Sequence, residues 1–279
     1  MKRNLTAILN DVLQILRDEF DPATAREWKP DEVNTHISAC VLELSKASPV
    51  RAFEPVLTVA ESKLLDISSL SDLIRVHHIE YPVGGSPRKD HGVNVIDNGT
   101  IEIDADVQPE ADGVSGALTG TITFTSGSKT VTGSSTAFTS ELAVDYYIRK
   151  STGTRWYRVA AIASDTSLTL DEAVKPEDTG ADTASVTAYR GNVALVYYDT
   201  VHVLTDIKST LNPVEEWVLV LGVCGNAAIS RSRSLINTVN DGGGDVSSKM
   251  QSWGVAKMQL YRRELAAFPA RIKKRYPMS

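Results

Sequence analysis

The stretch TGTITFTSGSKTVTGSSTAFTSEL, residues 119–142, and its continuation DYYIRKSTGTRWYRVAAIASDTSLTLDEA, residues 145–173, decide how this 279-residue chain is divided. Short runs of Thr, Val, Ile, Tyr and Trp are broken there by Gly and Ser, the pattern of brief strands joined by tight turns. Thr121 to Thr125 and Lys129 to Thr132 flank Ser126-Gly127-Ser128 as a hairpin, and Tyr146 to Arg149, Trp156 to Ala163 and Ser167 to Leu170 follow as further strands. Strands at this spacing predict a small barrel or sandwich of roughly 70 to 80 residues. Segments rich in acid, Pro and Gly fence it, Val107 to Gly113 before and Lys175 to Gly180 after, and both read as linkers.

Outside the fences the periodicity becomes helical at both ends of the chain. Asn4 can cap a helix in which Leu5, Ile8, Leu9, Val12, Leu13, Leu16 and Phe20 recur at spacings of three and four. Pro30-Asp31-Glu32 opens a second, with Val33, Ile37, Cys40, Val41 and Leu44 in one stripe. Asn212-Pro213-Val214-Glu215 is a capped start for a third helix whose Gly222, Gly225, Ala227 and Ala228 predict a neighbouring backbone packed close against it. A fourth, about Val246 to Phe268, leads into a basic tail.

Between helices and insert lie β-like runs: Phe53 to Ala60, Leu70 to Tyr81, Val93 to Ile96, Thr100 to Ile103, and later Val193 to Tyr198 and Val201 to Leu204. Asp97-Asn98-Gly99 predicts a hairpin, and the period of two in Ile101-Glu102-Ile103-Asp104 puts both isoleucines inward and both carboxylates outward. The fold class expected is therefore α+β: a four-helix bundle with a small antiparallel β-sheet, formed by residues 1–110 plus 191–279 and interrupted by an inserted all-β module at 111–190. On this reading, replacing residues 113–186 with a short Gly/Ser linker leaves a folded, helical, assembling protein.

At 42% apolar and 23% charged the composition is that of an ordinary soluble globular protein. The net charge of -6 is uneven: residues 215–279 carry ten Lys and Arg against five Asp and Glu, leaving the remainder strongly acidic. An acidic body argues against a tight grip on nucleic acid and suits a surface past which DNA slides. No apolar run approaches the ~20 residues that span a bilayer, and the start lacks a signal-peptide core, so synthesis and retention in a cytoplasm are expected. Cys40 and Cys224 both fall in apolar helical patterns and read as buried free thiols.

Motifs for chemistry are weak, and no catalytic, cofactor or metal residue is assigned. The five histidines are His36, His77, His78, His91 and His202; His77 and His78, adjacent on a strand, point to opposite faces and cannot chelate one ion from one side. The acids Asp97, Glu102, Asp104, Asp106, Glu110 and Asp112 lack the spacing of a calcium loop. Gly127-Ser128-Lys129-Thr130 lacks the second glycine and the helix of a P-loop, and Gly113-Val114-Ser115-Gly116-Ala117 lacks the last glycine of a nucleophile elbow. Arg271, Lys273, Lys274, Arg275 and Tyr276 form the one charge cluster above background, fit to dock on an acidic partner surface.

The order of parts, Asn4 to Leu44, the strands from Phe53 to Ile103 and Val193 to Leu204, and the Asn212-Pro213-Val214-Glu215 helix with its successor, resembles head-to-tail adaptor, or connector, proteins of tailed bacteriophages. The insert, GTITFTSGSKTVTGSSTAFTSEL followed by TRWYRVAAIASDTSLTL, is similar to small β-modules that recur in phage virion proteins, with Tyr146 where those modules place a glycine after the equivalent of Asp145. The resemblance implies a structural virion protein of the neck, made in the bacterial host cytoplasm. It would form a homo-oligomeric ring, commonly a dodecamer, with DNA passing through and no sequence-specific contact. Portal and tail or neck proteins would be its partners, and the basic tail, Arg271 to Tyr276, would reach the portal. The alternatives are another tail or baseplate attachment protein, or, least favoured, a carbohydrate-active enzyme, which would need paired carboxylates in an aromatic-lined cleft.

Overall fold

The computed structural model describes residues 3–20, 28–83, 87–106, 108–109, 112–153, 155–182, 186–191, 193–235 and 246–272. Packing divides the chain into two compact units, residues 1–50 with 200–279, and residues 51–199.

The first unit is helical and is built from both ends of the chain. Helix α1 (Leu5–Glu19) starts where Asn4 Oδ1 accepts from the Ala7 amide at 2.9 Å, which satisfies one of the orphan donors of the first turn. It buries Ile8, Val12, Leu13 and Leu16. Helix α2 (Pro30–Ala47) has proline in its first turn with Asp31 and Glu32 beside it, and buries Val33, Ile37, Cys40 and Leu44.

Two further long helices complete that core: α4 (Pro213–Leu235) and α5 (Val246–Ile272). Asn212 and Glu215 form the reciprocal box read from the sequence, Asn212 Oδ1 accepting from the Val214 and Glu215 amides at 2.9 and 3.0 Å while Glu215 Oε2 accepts from the Asn212 amide at 2.8 Å. The small residues of α4 are required by α5. A Cβ on Gly222 would stand 2.8 Å from the Tyr261 ring, and one on Gly254 2.9 Å from the Gly225 carbonyl oxygen. Each fully buried Leu, Ile or Val in this core contributes roughly 1.5–3 kcal/mol.

The second unit carries two sheets. The first holds six strands, β1 (Val50–Leu57), β2 (Leu64–Asp66), β3 (Leu73–Glu80), β4 (Asp90–Val95), β5 (Thr100–Asp104) and β14 (Val193–Thr200), in the order β1-β14-β3-β4-β5-β2. The Asp97-Asn98-Gly99 hairpin forms as read, with Val95 opposite Ile101 and Val93 opposite Ile103, and the Asp97 carboxylate accepts from the Gly99 amide at 2.8 Å. Ile101 and Ile103 are buried and Asp104 is exposed, the alternation that the period of two demands.

The other sheet holds eight strands: β6 (Gly113–Ala117), β7 (Thr121–Phe124), β8 (Thr130–Ser134), β9 (Tyr147–Arg149), β10 (Tyr157–Ser164), β11 (Ser167–Leu170), β12 (Gly180–Asp182) and β13 (Thr187–Gly191). Their order is β12-β7-β8-β11-β10-β9-β13-β6, and a single-turn helix, α3 (Phe138–Glu141), follows β8. Ile122, Phe124, Val131, Tyr157, Val159, Leu168 and Leu170 bury one face of it. In the turn before β9 the left-handed residue is Asp145 itself, at φ 73°, so Tyr146 stands in place of glycine without a positive φ of its own.

The expected four-helix bundle with a small antiparallel sheet is corrected by these strands. Among the described residues there are fourteen strands in sheets of six and eight, against five α-helices, so the β part is no accessory of a bundle. The physical reason lies in the fences. Gly113–Ala117, which starts at the end of the first fence and was not read as a strand, pairs along its whole length with Thr187–Gly191, and Gly180–Asp182, which starts at the end of the second, pairs with β7. Such strands are held by backbone bonds to distant partners, and their small side chains leave almost no local signal. Val201 to Leu204, expected as a strand, keeps only an isolated bridge from Leu204 to Ser209.

Candidate functional site

Of the basic residues assigned to portal docking, Arg271 falls in the last turn of α5, and Lys273, Lys274, Arg275 and Tyr276 lie outside the described residues. Three other places bring chemically capable side chains together.

One is a cleft of about 610 Å³ inside the β unit, lined from the six-stranded sheet by Phe53, Glu80, Leu195 and Tyr197, with Arg88 beside them, and from the insert by Tyr147, Arg155, Trp156, Arg158, Asp171 and Glu172. Tyr147 and Trp156 share a small apolar cluster with Val193 and Leu195, backed by Phe53, Leu57 and Tyr197. Four aromatic side chains and three carboxylates look suited to saccharide chemistry. Their wiring points elsewhere. Arg88 Nε is 3.1 Å from Glu80 Oε2 and 2.6 Å from Asp90 Oδ1, and its guanidinium lies over the Tyr197 ring at 4.4 Å. The Tyr197 hydroxyl donates to Glu80 at 3.1 Å. Arg158 stands between Asp145 and Asp171 at 3.0 and 2.8 Å, and Arg155 approaches Glu172 at 3.8 Å.

Every acid of the cleft thus faces a guanidinium of the same unit, whereas a general acid needs an apolar surround that keeps its proton on. Burial pushes the Tyr197 hydroxyl up to about 12 and raises Tyr147 further still, so neither phenol supplies an anion near neutrality. The cleft is a polar joint between two sheets. Beneath it the Trp156 indole donates to Glu54 Oε1 at 2.7 Å, and Arg149, whose guanidinium covers the Trp156 ring at 4.4 Å, donates to the same oxygen at 2.8 Å.

The helical unit holds a second cluster that the sequence did not announce. Ser48, His202 and Glu215, all buried, are the residue types of a nucleophile, a base and its orienting acid. Their contacts do not make a triad. The Ser48 hydroxyl donates to Glu215 Oε1 at 2.7 Å, His202 Nε2 meets the Ser48 carbonyl oxygen at 2.6 Å, and His202 Nδ1 meets Thr210 Oγ1 at 3.0 Å. The histidine meets the Ser48 carbonyl and not its hydroxyl, and the carboxylate that accepts the hydroxyl also caps α4. The cluster fastens the end of α2 to the start of α4.

Three of the other histidines are similarly occupied. His77 Nε2 lies 2.7 Å from Asp199, His78 stacks on Tyr197 with centroids 4.6 Å apart, and His91 meets the Tyr81 carbonyl at 2.6 Å. Among the described residues no group of three metal-ligating side chains gathers, and no helix is long and apolar enough to cross a membrane.

The third feature is the outside of the helices. Each of the four long ones leaves a large apolar side chain in solvent: Ile15 on α1, Leu42 on α2, Val214 and Trp217 on α4, Val255 on α5. Val214 and Trp217, three apart, share one face of the first turns of α4. Just before it, Ile207 is 99% exposed. No protein-family model matches the chain, and no curated protein matches it.

Proposed function

We propose that the chain is a structural virion protein, a head-to-tail adaptor that forms a ring between the portal and the tail of a bacteriophage and lets DNA pass. One observation carries this reading beyond the resemblance: a helical unit closed from both ends of the chain, with apolar side chains left outside on all four of its long helices. Single exposed hydrophobes need no explanation, but a half-exposed tryptophan beside a half-exposed valine is what a subunit contact covers. The acidic body suits a lumen through which DNA moves. Full-length chain, alone and mixed with a portal protein, tests it by mass: assembly into a closed ring or a portal complex supports the reading, and a strict monomer in both cases overturns it.

The cleft favours a second reading, attachment to a saccharide by the β unit. Trp156 and Tyr147 are 2% and 4% exposed, which leaves little ring face for a sugar to stack on. Oligosaccharides that shift no amide resonance of the cleft at millimolar concentration would dispose of it.

A further inference from the structure

The tip of the β4–β5 hairpin holds the chain's only Asn-Gly pair, Asn98-Gly99. An asparagine before glycine is open to attack on its own side chain, because the amide nitrogen of the next residue can close a five-membered ring on Cγ and glycine has no Cβ to obstruct the approach. Asn98 is exposed, and its side chain makes no hydrogen bond among the described residues. The electrophile is thus in water and free to turn.

The nucleophile is not free. The Gly99 amide donates to Asp97 Oδ1 at 2.8 Å, and the Gly99 carbonyl accepts from the Ile67 amide at 2.8 Å. Asp97 is itself placed by the turn, its own amide and that of Ile96 donating to the Thr100 carbonyl at 3.2 and 3.1 Å. Attack requires the Gly99 nitrogen to lose its proton, and the anion so formed would stand 2.8 Å from a carboxylate, which like charges disfavour. Swinging that nitrogen onto Asn98 Cγ also breaks the bond to Asp97. The Gly99 amide in turn holds the Asp97 carboxyl below the usual carboxylate range, with Asp66 the other acid near enough to act on it, so Asp97 is ionised at neutral pH.

We propose that Asn98 is a site of spontaneous deamidation, and that the Asp97 carboxylate, acting through the Gly99 amide, sets how slowly it proceeds in the native protein. Hydroxide takes the Gly99 amide proton, the nitrogen electron pair forms the bond to Asn98 Cγ, and the Cγ–Nδ2 bond breaks. Nδ2 leaves as ammonia, taking a proton from water, and a succinimide remains. Water then opens the ring at either carbonyl and gives aspartate or its β-linked isomer; nothing is oxidised or reduced. Either product places a new carboxylate beside Asp97, and the isomer adds a backbone carbon to the turn that aligns Val95 with Ile101. Opening of the hairpin is thereby recorded covalently. The inference is independent of the adaptor reading.

Peptide mapping by mass spectrometry of the full chain held at pH 8, native and in urea, tests it. Wild type should deamidate at Asn98 about tenfold or more slowly when native than when unfolded, and native Asp97→Ala about tenfold or more faster than native wild type, as loss of a hydrogen bond to a charged group allows. Asp97→Ser, whose hydroxyl can accept from the Gly99 amide in the same kind of turn, should recover part of the protection. Gly99→Ala, whose Cβ would lie 3.6 Å from the Ser68 Cβ in ordinary contact, should slow the reaction in both states. Native Asp97→Ala and wild type that deamidate at one rate overturn the proposal, as does wild type that deamidates as fast folded as unfolded. If Asp97→Ala melts lower than wild type, the control is Ile79→Ala, which loosens the same sheet at a fully buried position of β3. Equal deamidation in those two variants overturns the proposal, and fast deamidation in Asp97→Ala alone supports it.

Discussion

The Trp156 indole donates a 2.7 Å hydrogen bond to the carboxylate of Glu54, a residue of β1 separated from it by about a hundred positions, and this bond joins the insert to the sheet that carries it. Trp156 is 2% exposed and belongs to the same cluster as Tyr147, Val193 and Leu195. Trp156→Ala is expected to lower stability by about 3–5 kcal/mol, the range for deleting a buried aromatic. Trp156→Phe keeps most of the packing and removes the donor, and should cost about 1–3 kcal/mol. Urea unfolding of the three proteins measures both.

The same joint makes deletion of the insert costly. From sequence, replacing residues 113–186 with a short linker leaves the rest intact. The structure argues otherwise: the deletion strips Trp156 and Tyr147 from Phe53, Leu57, Val193 and Leu195, and removes β6 and β9, the two strands that flank β13. The expected product keeps its helical circular dichroism, binds a hydrophobic dye and self-associates non-specifically. A monodisperse deletion protein with a wild-type melting temperature would show that the two sheets are separable.

Gly222 sets helix propensity against packing. Alanine is better than glycine in a helix by about 1 kcal/mol. Here its Cβ would meet Tyr261 ring carbons at 2.8–2.9 Å, and overpacking a filled core costs about 1–3 kcal/mol. Packing should win, because Tyr261 is fully buried and its hydroxyl is anchored on the Cys40 carbonyl at 3.2 Å. Gly222→Ala is therefore expected to melt several degrees below wild type; a rise in melting temperature would show that α5 can withdraw.

Burial pushes the Cys40 thiol up to about 11 and the Cys224 thiol up to about 12. Since the thiolate is the reactive form, neither should react with a thiol reagent at pH 8 in the native protein, and both should react once the chain is denatured. Rapid labelling of either residue in the native state would contradict the packing of α2 and α4 described above.

What the sequence disclosed and what it withheld follow from the range of the interactions. Asn4, Asn212 and Glu215 act within one helical turn, and their caps were readable. The Asp97-Asn98-Gly99 and Ser126-Gly127-Ser128 hairpins were readable for the same reason. A close neighbour of α4 followed from Gly222 and Gly225, since only a neighbouring backbone or ring makes two glycines worth their cost in a helix; that the neighbour is α5 is seen only in the structure. By contrast Gly113–Ala117 and Thr187–Gly191 are strands only because each has the other, across about seventy residues. Pairing at that distance leaves no periodicity, so the fences looked like linkers and the β unit was underestimated. The buried Ser48–His202–Glu215 cluster and the Glu54–Trp156 joint were hidden likewise, their members being far apart in the chain. Ile207, flanked by Asp206 and Lys208, gave no sign of its exposure.

The mass of the full-length chain, measured under native conditions alone and with a portal protein, tests the central proposal most directly. A single closed ring, commonly of twelve copies, or a defined complex with the portal is the expected result. A chain that remains a monomer at every concentration, and that never associates with a portal, would contradict it.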